Sequence, residues 1–500
     1  MVELLNGVAL GLGAAATPGN LLYCFIGALF GTLIGVLPGI GPLATFAMLM
    51  PLTFHLDPMG GIIMLAGIYY GAQYGGSTTA ILVNIPGESS SVVTAIDGHQ
   101  MAKNGRAGAA LGIAALGSFF AGTVATFVIV IASVPMMKLA QQFSAAEYFS
   151  LMVLGLIAAV VLANGSPLKA IMMVVVGVLL GLVGTDVETG AKRLTFGLTE
   201  LSDGIDVLPL AMGLFAICEV LRNLLSGEHR STNKTPIGSI LPTRQDLRLS
   251  TFPILRGTAL GSLLGVLPGG GAVLSSFASY AIEKRIAKNP AEFGKGAIQG
   301  VAGPESANNA GAQTSFIPML TLGIPTNPVL ALMIGAMMIH GIQPGPLIME
   351  KQPLIFWGLI ASMWIGNLML VIINLPLIGI WVQLLKVRYI FLFPSILLLC
   401  AIGIYGSSNS SFDVYVAALF GVVGYVLYKL DFEPAPLILG FILGAPMEES
   451  MRRALLFSRG DPMTFLERPI SLLLLSLGAL LLVVLILPAV RRKREQVFVE

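Results

Sequence analysis

The chain has 500 residues, of which 55% are hydrophobic and only 11% are charged, and its mean hydropathy is +0.87. Because an ordinary soluble domain carries about 25% charged residues, this composition predicts an integral membrane protein. The formal net charge is only +2, and the basic residues are scattered through short segments. Nucleic acid is therefore not an expected partner.

The rarer residue types predict no resident cofactor. The three cysteines (Cys24, Cys218 and Cys400) lie far apart in apolar segments, and the four histidines are equally dispersed. Neither type has the spacing of metal ligands, and the glycine clusters lack the patterns of phosphate-binding or dinucleotide-binding loops. We therefore expect no nucleotide-driven pump, no catalytic residues and no metal, apart from a transported coupling ion, Na⁺ or H⁺.

Long apolar runs recur along the chain, for example at residues 151–163, 170–184 and 471–490. Because they are continuous rather than alternating, they predict helices and not the strands of a membrane barrel. We expect an all-α polytopic membrane protein with about 12 membrane segments. The first 20 residues contain no Lys or Arg, so we expect the start of the chain to be retained and not cleaved as a signal peptide.

Two of the apolar segments are interrupted by the same Pro/Gly pattern. GTLIGVLPGIG at 31–41 and GSLLGVLPGGG at 261–271 are identical at eight of eleven positions. A GAQ triplet follows each of them, at 71–73 and 311–313, and an Ile-Pro pair comes next in both cases. Proline and glycine interrupt a lipid-embedded helix and are unfavourable there. The recurrence of the same interruption in the same order of motifs indicates a duplication.

A later pair of segments extends the similarity. The segment from Pro209 resembles the segment from Pro436, and Glu219 with Arg222 parallels Glu449 with Arg452. The alternative is chance similarity between two Gly-rich and Leu-rich segments. The shared order of four landmarks favours duplication.

Charge distribution orients the two halves, since Lys and Arg near segment ends favour the cytoplasm. The loop 222–248 and the RRKR end are basic and expected inside, whereas the acid-rich segment 185–205 is expected outside. Basic stretches flank both sides of residues 252–282, which predicts a re-entrant hairpin with the proline and glycines at its tip. Residues 20–54 lack flanking Lys or Arg and are expected to enter from the opposite side.

The resulting prediction is two inverted repeats, the architecture of many secondary transporters. The predicted divisions are a first repeat at 1–225, a cytoplasmic linker at 226–251, a second repeat at 252–490 and a basic tail at 491–500.

The two interruptions mark a candidate site, because irregular backbone is tolerated inside a bilayer only where it is buried in protein or lines a cavity. Helix starts at these glycines could hold an anion. Two polar stretches, 75–91 and 303–318, would supply hydrogen bonds to carboxylate oxygens at less cost than buried charges. The predicted substrate-binding or ion-binding residues are Pro38, Gly39, Gly41, Pro42, Ser77, Thr78, Thr79, Asn84, Pro86, Gly87, Glu88, Ser89, Ser90, Pro268, Gly269, Gly270, Gly271, Glu305, Asn308, Asn309, Pro325, Thr326 and Asn327.

Glu88 and Glu305 stand out, since an acid at membrane depth usually marks an ion or proton path. The alternative is that these two acids lie at the mouth of a loop and are exposed to water. For each single Ser or Thr, helix capping or interhelical hydrogen bonding is an equal alternative. Asp97, Lys103 and Arg106 are expected to be ordinary interfacial charges.

Five motifs together resemble a known family. They are GVLPGIGP at 35–42, NIPGESSSVVTAIDGHQMAKNGRAG at 84–108, LPGGGAVLSSFASY at 267–280, FGKGAIQGVAGPESANNA at 293–310 and GIPTNPVLALMIGAMMIHGIQPGP at 323–346. Over nearly the whole chain, the sequence resembles the large TctA-type membrane subunit of the tripartite tricarboxylate transporters. The resemblance implies a multi-pass protein of the bacterial inner membrane that imports citrate-like carboxylates by ion-coupled transport. It also implies two partners, a small membrane subunit and a periplasmic solute-binding protein.

Three alternatives stay open at this stage. The first is the large subunit of a related receptor-dependent dicarboxylate transporter, against which the NIPGE and PESANNA stretches speak. The second is a membrane-embedded enzyme, although no Ser-Lys, His-Asp or paired-Asp set is evident. The third is a subunit that is channel-like or does not itself transport. The sequence does not select the carboxylate, because the periplasmic protein would choose it.

Overall fold

The computed structural model describes residues 2–37, 40–163, 166–186, 188–226, 238–267, 271–384 and 389–486. The helices of the first half are α1 (Val2–Ala15), α2 (Pro18–Gly35), α3 (Pro42–Leu49), α4 (Pro58–Val83), α5 (Val92–Lys103), α6 (Ala107–Ala140), α7 (Ala145–Leu162), α8 (Pro167–Gly181), α9 (Val207–Ala211) and α10 (Cys218–Ser226). A 3₁₀ turn at Met50–Thr53 follows α3, and a π-helix at Met212–Ile217 joins α9 to α10. Two short strands, β1 (Gly184–Thr185) and β2 (Lys192–Arg193), pair in an antiparallel manner.

The second half is also helical. Its helices are α11 (Arg244–Leu264), α12 (Gly271–Ile286), α13 (Gln299–Thr314), α14 (Phe316–Leu322), α15 (Pro328–Ile339), α16 (Ile348–Lys351), α17 (Pro353–Asn374), α18 (Ile378–Leu384), α19 (Tyr389–Ser408), α20 (Ser411–Lys429), α21 (Ala435–Phe457), α22 (Thr464–Glu467) and α23 (Pro469–Ile486), with a 3₁₀ turn at Pro290–Glu292. This agrees with the expected all-α membrane protein.

In the described part of the chain, five helices are long and apolar enough to cross a membrane. They are Pro18–Gly35, Ala107–Ala140, Val207–Leu225, Pro353–Asn374 and Ser411–Lys429. Shorter apolar helices of 10–17 residues accompany them. The total of about 12 membrane segments stays a prediction, because helix length and composition do not fix which short helices cross the bilayer.

Helices α2 and α4 pack in parallel through small residues. A Cβ built at Gly31 would overlap the carbonyl oxygen of Ile68, and one turn on, Gly35 lies in the same way against Ala72. Such contacts let two backbones approach closely. Since both helices run in the same direction, α3 and the 3₁₀ turn at Met50–Thr53 must carry the chain back before α4 begins.

We expect Gly31→Ala to destabilise the protein by about 1–3 kcal/mol, because the added methyl group meets backbone and cannot be accommodated by a rotamer change. Gly19→Ala, on the same helix, is the matched control, since a Cβ there meets nothing within 4 Å. The measurement is thermal unfolding of the detergent-purified protein. Equal melting temperatures for the two variants would contradict the close helix contact.

The second interrupted segment has the same arrangement. Gly257 on α11 lies against Gly303 on α13, and Gly261 lies against Ala307, so these helices are also parallel. Helix α12, which lies between them in the sequence, runs back in the opposite direction and packs on both. At one end Arg256 donates to both Glu283 carboxylate oxygens at 2.7 and 2.6 Å, and at the other end Gly271 lies against Gly265.

Helix α11 begins at Arg244, within the predicted linker 226–251. The helix starts at Arg244 because Thr243 and Asp246 form a capping box: the Thr243 hydroxyl accepts from the Asp246 N–H at 3.1 Å, and the Asp246 carboxylate accepts from the Thr243 N–H at 3.0 Å. The linker residues 227–237 and the predicted tail 491–500 lie outside the described residues.

Helices α4 and α13 form the antiparallel centre of the molecule. The ring of Tyr70 lies 5.9 Å from that of Phe316, which begins α14 directly after α13. Ser77 lies two turns after Tyr70 on α4, and it lines a cavity together with Glu305, which lies three turns before Phe316. The two helices therefore run in opposite directions. The residues of α4 from Met59 to Leu82 and of α13 from Gly300 to Thr314 are buried. Because other helices surround this pair, its polar side chains do not face lipid.

The acid-rich segment folds as a small ion-paired unit on α21. Arg193 contacts Asp186 and donates to Glu448 at 2.7 Å, and Arg452 also pairs with Asp186, at 3.1 Å. A hydrogen bond from Thr189, together with Arg193, holds the pKa of Asp186 well below its usual range. Arg452 also pairs with Glu448 at 2.6 Å, and in the first half Arg222 pairs with Glu219 at 3.5 Å.

Candidate functional site

The two predicted polar stretches meet where the loop after α4 and helix α5 pack against α13. Asn308 donates from Nδ2 to Glu88 Oε1 at 2.8 Å, and Thr94 donates from its hydroxyl to Glu305 Oε1 at 2.5 Å. Each carboxylate therefore accepts a hydrogen bond from the other half of the chain. Glu305 is 1% exposed and Glu88 is half-buried, so Glu305 does not lie at a loop mouth in water.

A chain of hydrogen bonds extends from Glu88 across α4. In the amide orientation that satisfies its neighbours, Gln73 donates to Glu88, and its oxygen accepts from the Tyr69 hydroxyl at 3.1 Å. Asn327 donates to the same Tyr69 hydroxyl at 3.4 Å and caps the N-terminus of α15. The NIPGE and IPTN motifs are thereby connected through Tyr69 and Gln73, neither of which was among the predicted site residues.

The NIPGE loop is held tightly on α4. Asn84 ends the helix in the left-handed conformation, with φ 56°. The chain then turns so that a Cβ at Gly87 would overlap the Cα of Gly76, and a Cβ at Gly41 would lie 2.7 Å from the Gly87 carbonyl oxygen. Only glycine fits at Gly87, because backbone opposes backbone there.

The tips of the two interruptions, including the predicted residues Pro38, Gly39, Pro268, Gly269 and Gly270, lie outside the described residues. Their flanks are described. Gly41 and Pro42 begin α3, and Gly271 begins α12. The Ser315 hydroxyl donates to the Gly265 carbonyl at 2.9 Å, and Thr326 donates to the Ser315 carbonyl at 3.4 Å.

Several predicted hydroxyl groups donate within their own helix. Ser77, Thr78 and Thr79 donate to the carbonyls of Gln73, Tyr74 and Gly76, which is the helix-internal alternative considered above. Asn84 and Ser89 are exposed, whereas Ser90, Pro325 and Thr326 are buried and Pro86 is half-buried. Asn309 donates to Ser118 on α6 at 2.7 Å.

A small cavity of about 20 Å³ adjoins Glu305 and has room for a water-sized ligand. Besides the predicted Ser77 and Thr78, its polar lining comes from three residues that sequence reasoning missed: Tyr74, Ser118 and Asn374. The signal for Asn374 was the Asn-Leu-Pro interruption at the end of an apolar run, where α17 stops.

Asp97 is not the ordinary interfacial charge that was expected. Its side chain is completely buried, where Oδ1 accepts from the N–H groups of Gly294, Gly296 and Ala297 at 2.8–2.9 Å, and Oδ2 accepts from the Tyr280 hydroxyl at 2.9 Å. Asp97 on α5 therefore fixes the segment that leads into α13. Arg106 does lie near the surface and pairs with Asp246 at 2.5 Å.

We expect Asp97→Ala to lower the free energy of unfolding by several kcal/mol. It leaves the buried Ala297 N–H without an acceptor, which costs about 1–3 kcal/mol, and it also removes the acceptor of the Tyr280 hydroxyl and of two partly buried N–H groups. Asp57→Ala is the control: it removes a helix cap made to the single N–H of Gly60 and should cost about 1 kcal/mol. Melting temperatures in the same detergent measure both. A loss at Asp97 no larger than at Asp57 would contradict the anchoring role.

In the part of the chain that the structure describes, no group of three or more His, Cys, Asp or Glu residues has metal-binding geometry. The site is an arrangement of carboxylates, amides and hydroxyls where the two polar stretches meet, and such a site inside a polytopic helical membrane protein is typical of a transporter.

The comparisons with known proteins give the family. The model of the tripartite tricarboxylate transporter TctA family matches residues 21–439. The chain belongs to this family, which confirms the resemblance found in the motifs and indicates a transporter subunit.

Two relatives come from Agrobacterium vitis. One is an uncharacterized 52.8 kDa protein of the TAR-I ttuC' 3' region, 56% identical over 500 residues and 100% of both chains. The other is an uncharacterized protein of the TAR-II ttuC' 3' region, 60% identical over 240 residues, which are 48% of this chain and 99% of the relative. No solved structure matches.

Proposed function

We propose that this protein imports tricarboxylates or related citrate-like anions across the bacterial inner membrane by ion-coupled alternating access. It receives its substrate from a periplasmic solute-binding protein and works with a small membrane subunit. The observation that carries the proposal is the meeting of the two polar stretches, where each half of the chain hydrogen-bonds the carboxylate of the other, Asn308 to Glu88 and Thr94 to Glu305.

We further propose two inverted repeats, each with a re-entrant hairpin. The parallel pairs α2 with α4 and α11 with α13 support this, because the chain must run back between the members of each pair. The antiparallel orientation of α4 and α13 supports the inversion. Inverted repeats with interrupted helices place substrate and coupling ion at their interface.

In this proposal the anion binds between the hairpin tips and the NIPGE and IPTN loops. Helix starts at Gly41 and Gly271 would direct N–H groups and a partial positive charge at a carboxylate. Asn and Ser side chains would add neutral donors. Glu305, which lies outside these loops, would serve the coupling cation. Glu88, inside the NIPGE loop, would need a proton or a cation beside it, since an uncompensated like charge next to the anion is unfavourable.

The test is uptake of labelled citrate and smaller carboxylates into proteoliposomes that contain both partner proteins, under a Na⁺ gradient or a pH gradient applied separately. We expect uptake with one of the two gradients and none without the periplasmic protein. Folded protein that takes up no carboxylate with either gradient would overturn the proposal.

A further inference from the structure

Glu305 is a buried acid without a basic partner. Among the described residues, no Lys, Arg or His forms an ion pair with Glu305 or with Glu88. An isolated carboxylate is very costly to bury and must be protonated or meet a cation. The Thr94 hydroxyl supplies one hydrogen bond but no charge.

The other acids packed against α13 are already satisfied. Asp97 on α5 accepts from three N–H groups and from Tyr280, and Glu283 on α12 pairs with Arg256. On α4, the titratable Tyr74 donates to Asn367 Oδ1 at 3.3 Å. Glu88 accepts from Asn308 and is the nearest other acid. Glu305 is thus the acid of this region that faces a cavity.

Asn374, at the end of α17, lines the same cavity and provides an independent observation. Its side chain is 4% exposed, and its Nδ2 donates to the Leu370 carbonyl at 2.9 Å. Its Oδ1 has no hydrogen-bond partner. A buried amide oxygen without a donor costs about 1–3 kcal/mol, so a ligand that offers positive charge would relieve it.

The C-terminal end of α17 also favours a cation in this cavity. Asn374 is the last residue of the helix, Pro376 follows, and Leu375 also lines the cavity. A helix C-terminus carries a partial negative charge that favours cations. The remaining polar lining consists of hydroxyl groups on Tyr74, Ser77, Thr78 and Ser118, which are oxygen ligands of the kind that hard cations take.

We propose that the cavity between α4, α6, α13 and the end of α17 binds a small monovalent cation, Na⁺ or a proton, through Glu305 and Asn374. The site is separate from the tips and loops that would hold the anion. Its role as the coupling-ion site rests on the proposed transport function, whereas the binding itself does not. The volume of about 20 Å³ excludes a carboxylate substrate.

The experiment measures the melting temperature of the purified full-length protein without substrate or partners, in NaCl, KCl or choline chloride and over a pH series in choline. A ligand that binds only the folded state raises the melting temperature with concentration. If Na⁺ is the ligand, NaCl alone stabilises the protein. If the ligand is a proton, lowering the pH stabilises it, and Na⁺ has no effect.

Variants assign the effect to the cavity. Glu305→Gln, nearly isosteric, should abolish the response to the effective ion, and Asn374→Leu should raise the half-saturating concentration at least tenfold. Asn374→Asp keeps the oxygen ligands and should retain the response. Ser362→Ala, on α17 and bonded within its own helix to Leu359, is the matched control and should behave as the wild type.

Two results would overturn the inference: a wild-type protein that responds to neither ion, or Glu305→Gln and Asn374→Leu proteins that respond as the wild type does. Both are distinguishable from failure of the proposed function, which is read from uptake in proteoliposomes. Cation-dependent stability without carboxylate uptake would leave the cation site standing, and uptake with unchanged ion responses in the variants would leave only the transport function.

Discussion

Gly87→Val reduces gradient-driven uptake of labelled citrate by about a hundredfold, because misplacing a site by about 1 Å is enough for such a loss. A side chain at this position would overlap the backbone of Gly76 on α4, so the NIPGE loop must move outwards. Glu88, the next residue, then loses the 2.8 Å hydrogen bond from Asn308. Uptake into proteoliposomes with both partner proteins measures the effect.

The matched control is Gly13→Val on α1, since a Cβ at Gly13 meets nothing within 4 Å. It should insert, purify and transport as the wild type does. The size-exclusion profile of the Gly87 variant is checked first, because the loop packs against Gly76 within α4 and uptake is compared only for folded protein. Uptake at the wild-type rate by folded Gly87→Val protein would contradict the role of the loop.

Asn308→Asp has the second large effect expected, again about a hundredfold loss of uptake or more. The substitution replaces the amide donor to Glu88 by a second carboxylate at the same distance of 2.8 Å. Breaking a buried polar pair while adding a like charge costs about 3–5 kcal/mol, which in a transition state corresponds to a rate loss of at least a hundredfold.

Asn308→Leu separates the two causes. It removes the donor without adding charge, so it should retain more uptake and a higher melting temperature than Asn308→Asp. Both variants are compared with wild type in the same liposomes. If the Leu variant is as impaired as the Asp variant, loss of the hydrogen bond alone is responsible, and the electrostatic part of the argument is wrong.

The class of the protein and its family could be predicted from sequence, since continuous apolar runs and five motifs spread over the chain carry that information locally. The interrupted segments could also be located, because proline and glycine act on the backbone where they stand. How the two polar stretches pair could not be predicted. Glu88 meets Asn308 and Thr94 meets Glu305 across more than 200 residues of chain, and no spacing in the sequence encodes such a register.

The misassignment of Asp97 has the same explanation. Asp97 lies within α5, six residues before Lys103, and only the fold brings the N–H groups of Gly294, Gly296 and Ala297 around it. Arg452 likewise pairs with Glu448 and with the distant Asp186, because the segment 184–206 folds onto α21. A charged side chain takes the partner that tertiary packing offers.

The sequence by itself therefore determined a helical membrane transporter subunit with two interrupted segments and two polar stretches. The helices, the interruptions and the polar stretches follow from hydrophobicity and backbone chemistry, which act within a few residues. The transporter family follows from the resemblance of the five motifs. The tertiary structure decided that α4 and α13 run in opposite directions, that each half donates to the acid of the other, and that Asn374 and Glu305 line one small cavity. Such contacts depend on how helices pack in three dimensions, and packing joins residues that the sequence keeps far apart.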